Sequence, residues 1–383
     1  MSIRVGFFSV NNYLDKTSFS GALYYMYQAL AKQDVTITNL GTPQKPFLGL
    51  NIIKKVKKLL KNNIINTSKN LSDDDNYQDF ITIVHKQLEK NNCDLIFAPI
   101  ASKELSFLKS NLPIIFLSDA TPELIKNSYQ IYKNEKEYSL ACETELMAIS
   151  KAQTLIYTSQ WAADSAVSNF NADPNKIKIV CLGANLDFTP PVSQIYEKLN
   201  SSKLRLLFIG GNWKRKGGDI VLETFNSLIR FGIDVELVIV GAIPTNAVND
   251  SRIVTIPFLN KNKPSDYKKY VNLFRQSHFL ISPTRADCSP LVFSEANAYG
   301  VPAITTNIGG IPDLIKEGIN GYTLPLSASG DKYAQLILDI FNDQKTYKLL
   351  IESSRKEYET RLNWDVWAQQ IHSIMAQSID KVK

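Results

Sequence analysis

Apolar residues in this chain cluster in short runs, and the runs alternate with stretches of helical period. In the first half, runs at 3–10, 94–99, 113–118, 154–158 and 178–181 predict strands. They are short and rich in Ile, Leu, Val and Phe, as expected for strands covered on both faces. Helical spacing between them predicts helices near 19–32, 77–91, 133–152 and 161–169. The second half repeats the pattern, with strands at 204–210, 235–240, 252–256, 279–283 and 302–306. Its helices fall near 219–230, 264–276, 290–299, 331–342 and 345–357. Such alternation implies βα units, hence an α/β chain of two doubly wound parallel sheets facing each other across a cleft.

The break lies in 186–203. Thr189-Pro190-Pro191-Val192-Ser193 interrupts both periods, and polar Asn200–Lys203 leads into a new strand. The expected domains are 1–188 and 189–362. In 363–383, Trp364, Trp367, Ile371, Ile374 and Met375 recur at helical spacing, which predicts a closing helix packed back on the first domain. A length of 383 residues suits two domains. With 44% hydrophobic and 21% charged residues, both can hold large cores.

A net charge of +6 is too mild for a dedicated nucleic-acid binder. Cys93, Cys142, Cys181 and Cys288 are widely spaced, which suggests neither a zinc ribbon nor a disulfide framework and fits a reducing cytoplasm. Residues 3–10 lack a cleavage pattern and read as a first strand, not a signal peptide. No apolar run reaches the roughly 18 residues a membrane span needs.

Ligands of open α/β sheets bind beyond the carboxyl ends of the strands, so the residues that follow each strand carry the functional signal. Three second-half segments stand out. In Ile281–Glu295, Ser289 reads as the N-cap and Pro290 as the first residue of a helix. Asp287 and Glu295 then either accept hydrogen bonds from a vicinal diol, or serve as a capping loop residue and a solvated helix residue. Phe208–Asp219 contains Gly210, Gly211, Lys214, Arg215, Lys216, Gly217 and Gly218. Opening a helix, it reads either as a diphosphate cradle or as a solvated basic turn. It is not the G-x-x-x-x-G-K-[ST] phosphate loop, because the residue order differs. Thr305–Asp313 places Gly309 and Gly310 after a strand, either near a ligand or simply in a turn.

The first half offers less. Gly21 precedes a helix and either lets a ligand approach or makes a turn. Asp119 follows the strand at 113–118 and points into the cleft, or else caps the segment at 122–126. Gly183-Ala184-Asn185 closes the last strand near the hinge. His85, His278 and His372 fall on helices or just before a strand and read as structural or surface residues.

At these residues the chain resembles the family 4 glycosyltransferases, which have the GT-B fold of two Rossmann-like domains. The resemblance covers nearly the whole chain. The family's E-x(7)-E motif and the E-A-x-A-x-G-x-P helix read here as Asp287 to Glu295 and on to Pro302, with Asp in place of the first Glu. By resemblance, Glu295 holds the nucleotide ribose, Asp287 meets the donor sugar, and Lys216-Gly217 matches the K-G pair at the diphosphate. Gly210-Gly211 replaces the usual Arg, and Arg215 stands in for it, as in a branch with a W-x-R-K-G-G form. Gly309-Gly310 matches the paired glycines near the donor. Many members carry a His after the fourth strand of the first domain, where this chain has Asp119.

The resemblance implies a retaining transfer of a hexose from a nucleotide diphosphate sugar to an acceptor hydroxyl. The alternatives are a non-catalytic nucleotide-sugar-binding protein and another GT-B enzyme such as an epimerase. The expected catalytic set is Asp119, Asp287, Lys216 and Arg215. The expected donor set is Gly21, Gly211, Arg215, Lys216, Asp287, Cys288, Ser289, Pro290, Leu291, Glu295, Gly309 and Gly310.

Charge building on the leaving diphosphate calls for cations and amides, which Lys216, Arg215 and the helix N-terminus after Gly218 offer. Asp73-Asp74-Asp75 reads as a solvated loop rather than a metal motif, so no cofactor or metal is expected. Asn51–Ile65 carries Lys54, Lys55, Lys57, Lys58 and Lys61 around an apolar face. That face either rests on an anionic membrane or packs on the first domain.

Overall fold

The computed structural model describes residues 2–9, 11–40, 73–241 and 250–380. In chain order the first unit holds β1 (Ile3–Phe7), α1 (Ala22–Leu30), β2 (Val35–Asn39), α2 (Asp73–Asn91), β3 (Leu95–Pro99) and α3 (Ser102–Phe107). It continues with β4 (Ile114–Ser118), α4 (Pro122–Tyr129), α5 (Glu135–Lys151), β5 (Thr154–Tyr157), α6 (Gln160–Phe170) and β6 (Ile177–Ile179). The second holds β7 (Leu204–Gly210), α7 (Gly218–Arg230), β8 (Val235–Gly241), β9 (Ile253–Ile256), α8 (Pro264–Gln276), β10 (Phe279–Ser282) and α9 (Leu291–Ala298). It ends with β11 (Ala303–Thr306), α10 (Ile311–Leu314), β12 (Gly321–Leu324), α11 (Gly330–Asn342) and α12 (Gln344–Thr360), after which comes α13 (Trp364–Asp380).

Both sheets are parallel, in the orders β2-β1-β3-β4-β5-β6 and β12-β11-β10-β7-β8-β9. Strand order reverses beside β1 and beside β7, and a crevice opens at each reversal. Successive strand residues feed opposite cores. Leu95 and Phe97 join one apolar cluster, whereas Ile96 and Ala98 join the other. Burial on both faces is why these strands read as unbroken apolar runs.

The closing helix packs as its spacing suggests. Trp364, Trp367, Ala368, Ile371 and Met375 share a core with Ala22, Met26, Val5 and Phe7. The crossing into the second unit and the return from it lie side by side, with the Ala184 amide donating to the Leu362 carbonyl at 2.9 Å.

Four elements depart from expectation. β2 and β12 were not foreseen, and both are edge strands of mostly intermediate burial. A half-covered edge strand has no continuous apolar run to reveal it. α3 and α4, of 6 and 8 residues, are too short to show a helical period. Asp73, Asp74 and Asp75 begin α2 rather than sitting in a loop. Pro290, not Ser289, occupies the N-cap position of α9.

Candidate active site

A cavity of about 520 Å³ lies where the carboxyl ends of the two sheets meet. Second-unit residues Gly210, Gly211, Arg215, Lys216, Asp287–Val292 and Glu295 line it, as do Lys16, Thr17, Phe19, Ser20, Asp119 and Tyr129 of the first.

The basic turn after β7 is held by close packing. Trp213 lies on Gly218, where a Cβ would come within 2.3 Å of the indole. Gly217 has φ +75°, and a Cβ there would sit 1.9 Å from the Pro283 carbonyl oxygen, so only glycine fits. This contact docks the turn against the end of β10. The Lys216 stem runs over Gly210, and its ammonium pairs with the Asp287 carboxylate. Both partners are buried, so removing either leaves an uncompensated charge, a loss of about 3–5 kcal/mol. Arg215 donates from Nη1 to the Ala286 carbonyl at 2.6 Å, and its guanidinium lies 4.3 Å from the centre of the Tyr129 ring. Arg285 turns away from the cavity and bonds Asp219 at 2.7 and 2.8 Å.

The amides of the turn itself are used within it. The Lys216, Gly217 and Gly218 amides donate to the carbonyls of Asn212, Lys214 and Trp213. The Arg285 guanidinium holds the Asp219 carboxyl below its ordinary range. The Lys216 and Arg215 side chains bring positive charge to this corner.

Glu295 is buried in the first turns of α9. Lys261 reaches one of its oxygens at 2.5 Å and the Tyr270 hydroxyl donates to the other at 2.5 Å. Phe258 stands 68% exposed on the same rim. Ser289 Oγ pairs with Thr158 Oγ1 of the first unit at 2.5 Å, and Cys288 N donates to the Tyr129 hydroxyl at 3.2 Å. Burial, and next the charge of Asp119, push the Cys288 thiol well up.

Gly309 and Gly310 do not line the cavity. They support it from behind. A Cβ on Gly310 would lie 1.9 Å from the Cys288 carbonyl oxygen, and the Gly310 amide donates to the Asp287 carbonyl at 3.2 Å. Gly21, at φ +89°, likewise ends the loop whose preceding residues form the wall.

Asp119 follows β4 and faces the cavity. Burial, followed by the charge of Asp287, pushes its carboxyl up to about 6. It does not cap α4, whose N-cap residue is Thr121. Behind it, Glu145 of α5 is buried with Oε1 lacking a hydrogen-bond partner, and burial pushes it up to about 8.

His278 is buried against Phe341 and Tyr347, with Nδ1 accepting from the Arg205 amide at 3.0 Å; His85 and His372 lie on α2 and α13. All three are outside the site. Lys54, Lys55, Lys57, Lys58 and Lys61 lie outside the described residues. Among the described residues no helix is long and apolar enough to cross a membrane, and no cluster of potential metal ligands forms.

Sequence reasoning missed Lys16, Thr17, Phe19, Ser20, Tyr129, Lys261 and Tyr270. The loop after β1 could have been found by applying the strand-end rule to the first strand as strictly as to β7 and β10. Tyr129 and Tyr270 sit on helices and carry no such signal.

Residues 194–357 match the family described as glycosyl transferases group 1. The chain is 26% identical over 326 residues to spore coat protein SA of Bacillus subtilis (strain 168), covering 79% of this chain and 82% of that protein. It is also 26% identical over 215 residues to D-inositol 3-phosphate glycosyltransferase of Mycobacterium sp. (strain JLS). That match covers 51% of this chain and spans only about half, 47%, of the relative. Among solved structures, Anabaena HepE in complex with UDP and glucose superposes with a TM-score of 0.65 at 15% identity, covering 98% of this chain and all of that one. At that identity the likeness speaks for the fold, which is GT-B.

Proposed function

We propose, from the premise that this chain is a family 4 glycosyltransferase of GT-B fold, that it moves a hexose from a nucleotide diphosphate sugar to an acceptor hydroxyl with retention at the anomeric carbon. The units that do this run 1–188 and 189–362, with 363–383 returning to the first. The carrying observation is the meeting of Lys216, Asp287, Arg215 and Asp119 at the floor of one cavity, with Glu295 at its far side.

In this reading the ribose diol bonds Glu295, sharing it with Lys261 and Tyr270. The diphosphate lies against Lys216 and Arg215. These cations stabilise the charge that develops as the glycosidic bond breaks, and they are already in place before the reaction begins. Lys216 is held by Asp287, so the donor sugar meets a carboxylate whose own charge is balanced. Asp119, above about pH 6, accepts a hydrogen bond from a sugar or acceptor hydroxyl. Tyr129 over Arg215 and Thr158 against Ser289 bring the units together and exclude water, which would otherwise compete as acceptor.

Because Anabaena HepE was crystallised with UDP and glucose, UDP-glucose is the first donor to test. Two side-chain cations at the diphosphate support a transfer that needs no divalent ion, and turnover is expected to survive EDTA. The ribose assignment is tested by Glu295→Ala, which is expected to raise donor KM at least about tenfold. A folded Glu295→Ala variant with unchanged KM and turnover would sink it.

A further inference from the structure

The wall that the first unit gives to the cavity is a loop in an unfavourable conformation. Phe19 and Ser20 both adopt left-handed backbone angles, φ 47° and 54°, which residues with a Cβ rarely hold in succession. Such a geometry persists only where surrounding contacts over-determine it.

The contacts are explicit. Asp15 Oδ1 accepts from the Thr17 amide at 2.9 Å and the Thr17 hydroxyl at 2.8 Å. The same oxygen accepts from Asn262 Nδ2 at 2.7 Å, and Asn262 Oδ1 accepts from the Lys16 amide at 3.1 Å. Both ends of one carboxamide from the second unit thus bond consecutive residues of the first. Its sequence neighbour Lys261 is the residue that bonds Glu295 at 2.5 Å.

We propose that Asn262 is a positioning residue for the transfer: it seats the Asp15–Ser20 loop as a wall of the donor cavity and, through Lys261, ties that seating to the occupancy of Glu295. A ribose that bonds Glu295 must share it with Lys261, and the change is passed one residue along the backbone to the carboxamide bridging the cleft. The link to Glu295 rests on reading that carboxylate as the ribose ligand. The seating of the loop does not.

A carboxamide suits this place because it offers a donor to Asp15 and an acceptor to the Lys16 amide. Asn262→Asp keeps the shape but sets two carboxylates against each other. Asn262→Ala removes both bonds without adding a charge. Amide hydrogen exchange over residues 15–21, with and without UDP, reads the effect. Asn262→Asp is expected to speed exchange at least about tenfold, and Asn262→Ala at least about threefold. At UDP concentrations that saturate each protein, Lys261→Met is expected to leave exchange slow without nucleotide but to abolish the further slowing that UDP causes in the unaltered protein. Unchanged exchange in Asn262→Asp or in Asn262→Ala overturns the seating role. A full UDP response in Lys261→Met overturns the link to Glu295 alone. Unaltered protein that binds none of UDP, GDP and ADP overturns the donor reading and that link together, while the exchange of the nucleotide-free variants still decides the seating.

Discussion

The second-unit side of the cavity is made of charges that answer one another, and the first-unit side holds carboxyls that no cation answers. Lys216 meets Asp287, Lys261 meets Glu295, and Arg285 meets Asp219. Across the cleft, no cation is among the groups acting on Asp119 or Glu145, and burial alone dominates both. Buried carboxyls with no cation beside them exchange protons near neutrality, so the medium sets the protonation state of the first-unit side.

The sharpest way to break this contrast is to unpair the paired wall. Lys216→Ala is expected to reduce transfer by about 100-fold, because a pre-placed cation is lost at the leaving group. It is also expected to destabilise the fold by about 3–5 kcal/mol, the cost of an orphaned buried carboxylate. Adding Asp287→Ala should return much of the stability, read by denaturant unfolding, without returning transfer.

Next comes the acid side of the rate profile. Asp119 is charged only above about pH 6, so turnover is expected to fall about tenfold per pH unit below that point. In Asp119→Asn the limb should vanish while the rate at neutral pH drops. A limb that survives the substitution would assign it to another group.

Glu145 tests the same wall through stability. Its carboxyl rises from its ordinary 4.5 to about 8 in the fold, so between those values the native state holds a proton that the unfolded chain has lost. Stability therefore falls as pH rises through that window. Glu145→Gln should be neutral near pH 4 and stabilising at pH 9, by on the order of 5 kcal/mol in thermal unfolding. The smallest effect belongs to Gly211→Ala. No atom lies within 4 Å of the added Cβ, so stability should change by less than about 0.5 kcal/mol. Weaker UDP binding in that variant would place a phosphate against its backbone, and unaltered binding would remove Gly211 from the donor set.

The contrast also explains what was legible in the sequence. Strands buried on both faces declare themselves as apolar runs, and the glycines at 217 and 218 mark a turn pressed on Pro283 and Trp213. The second-unit wall follows because its residues cluster in continuous segments after β7 and β10. Two placements were not legible. The Gly218 amide is used by the turn, and Gly309 and Gly310 pack on the backbone of the Asp287 loop. The first-unit wall was harder to see because Lys16, Phe19 and Tyr129 come from separate places and are united only by tertiary contacts. No spacing rule records that Tyr129 lies on Arg215, or that Lys261 reaches Glu295.

The placement of Trp364, Trp367, Ile371 and Met375 in the core of the first unit bears on how the chain is made. As the polypeptide emerges from the ribosome, the first sheet appears before the helix that covers one of its faces, and the whole second unit is translated between them. Throughout synthesis of the second unit, Val5, Phe7, Leu23 and Met26 have no Trp367 or Ile371 to cover them. The first unit therefore matures after the second has had time to fold, and a nascent chain arrested before Asn363 would offer that bare apolar face to chaperones.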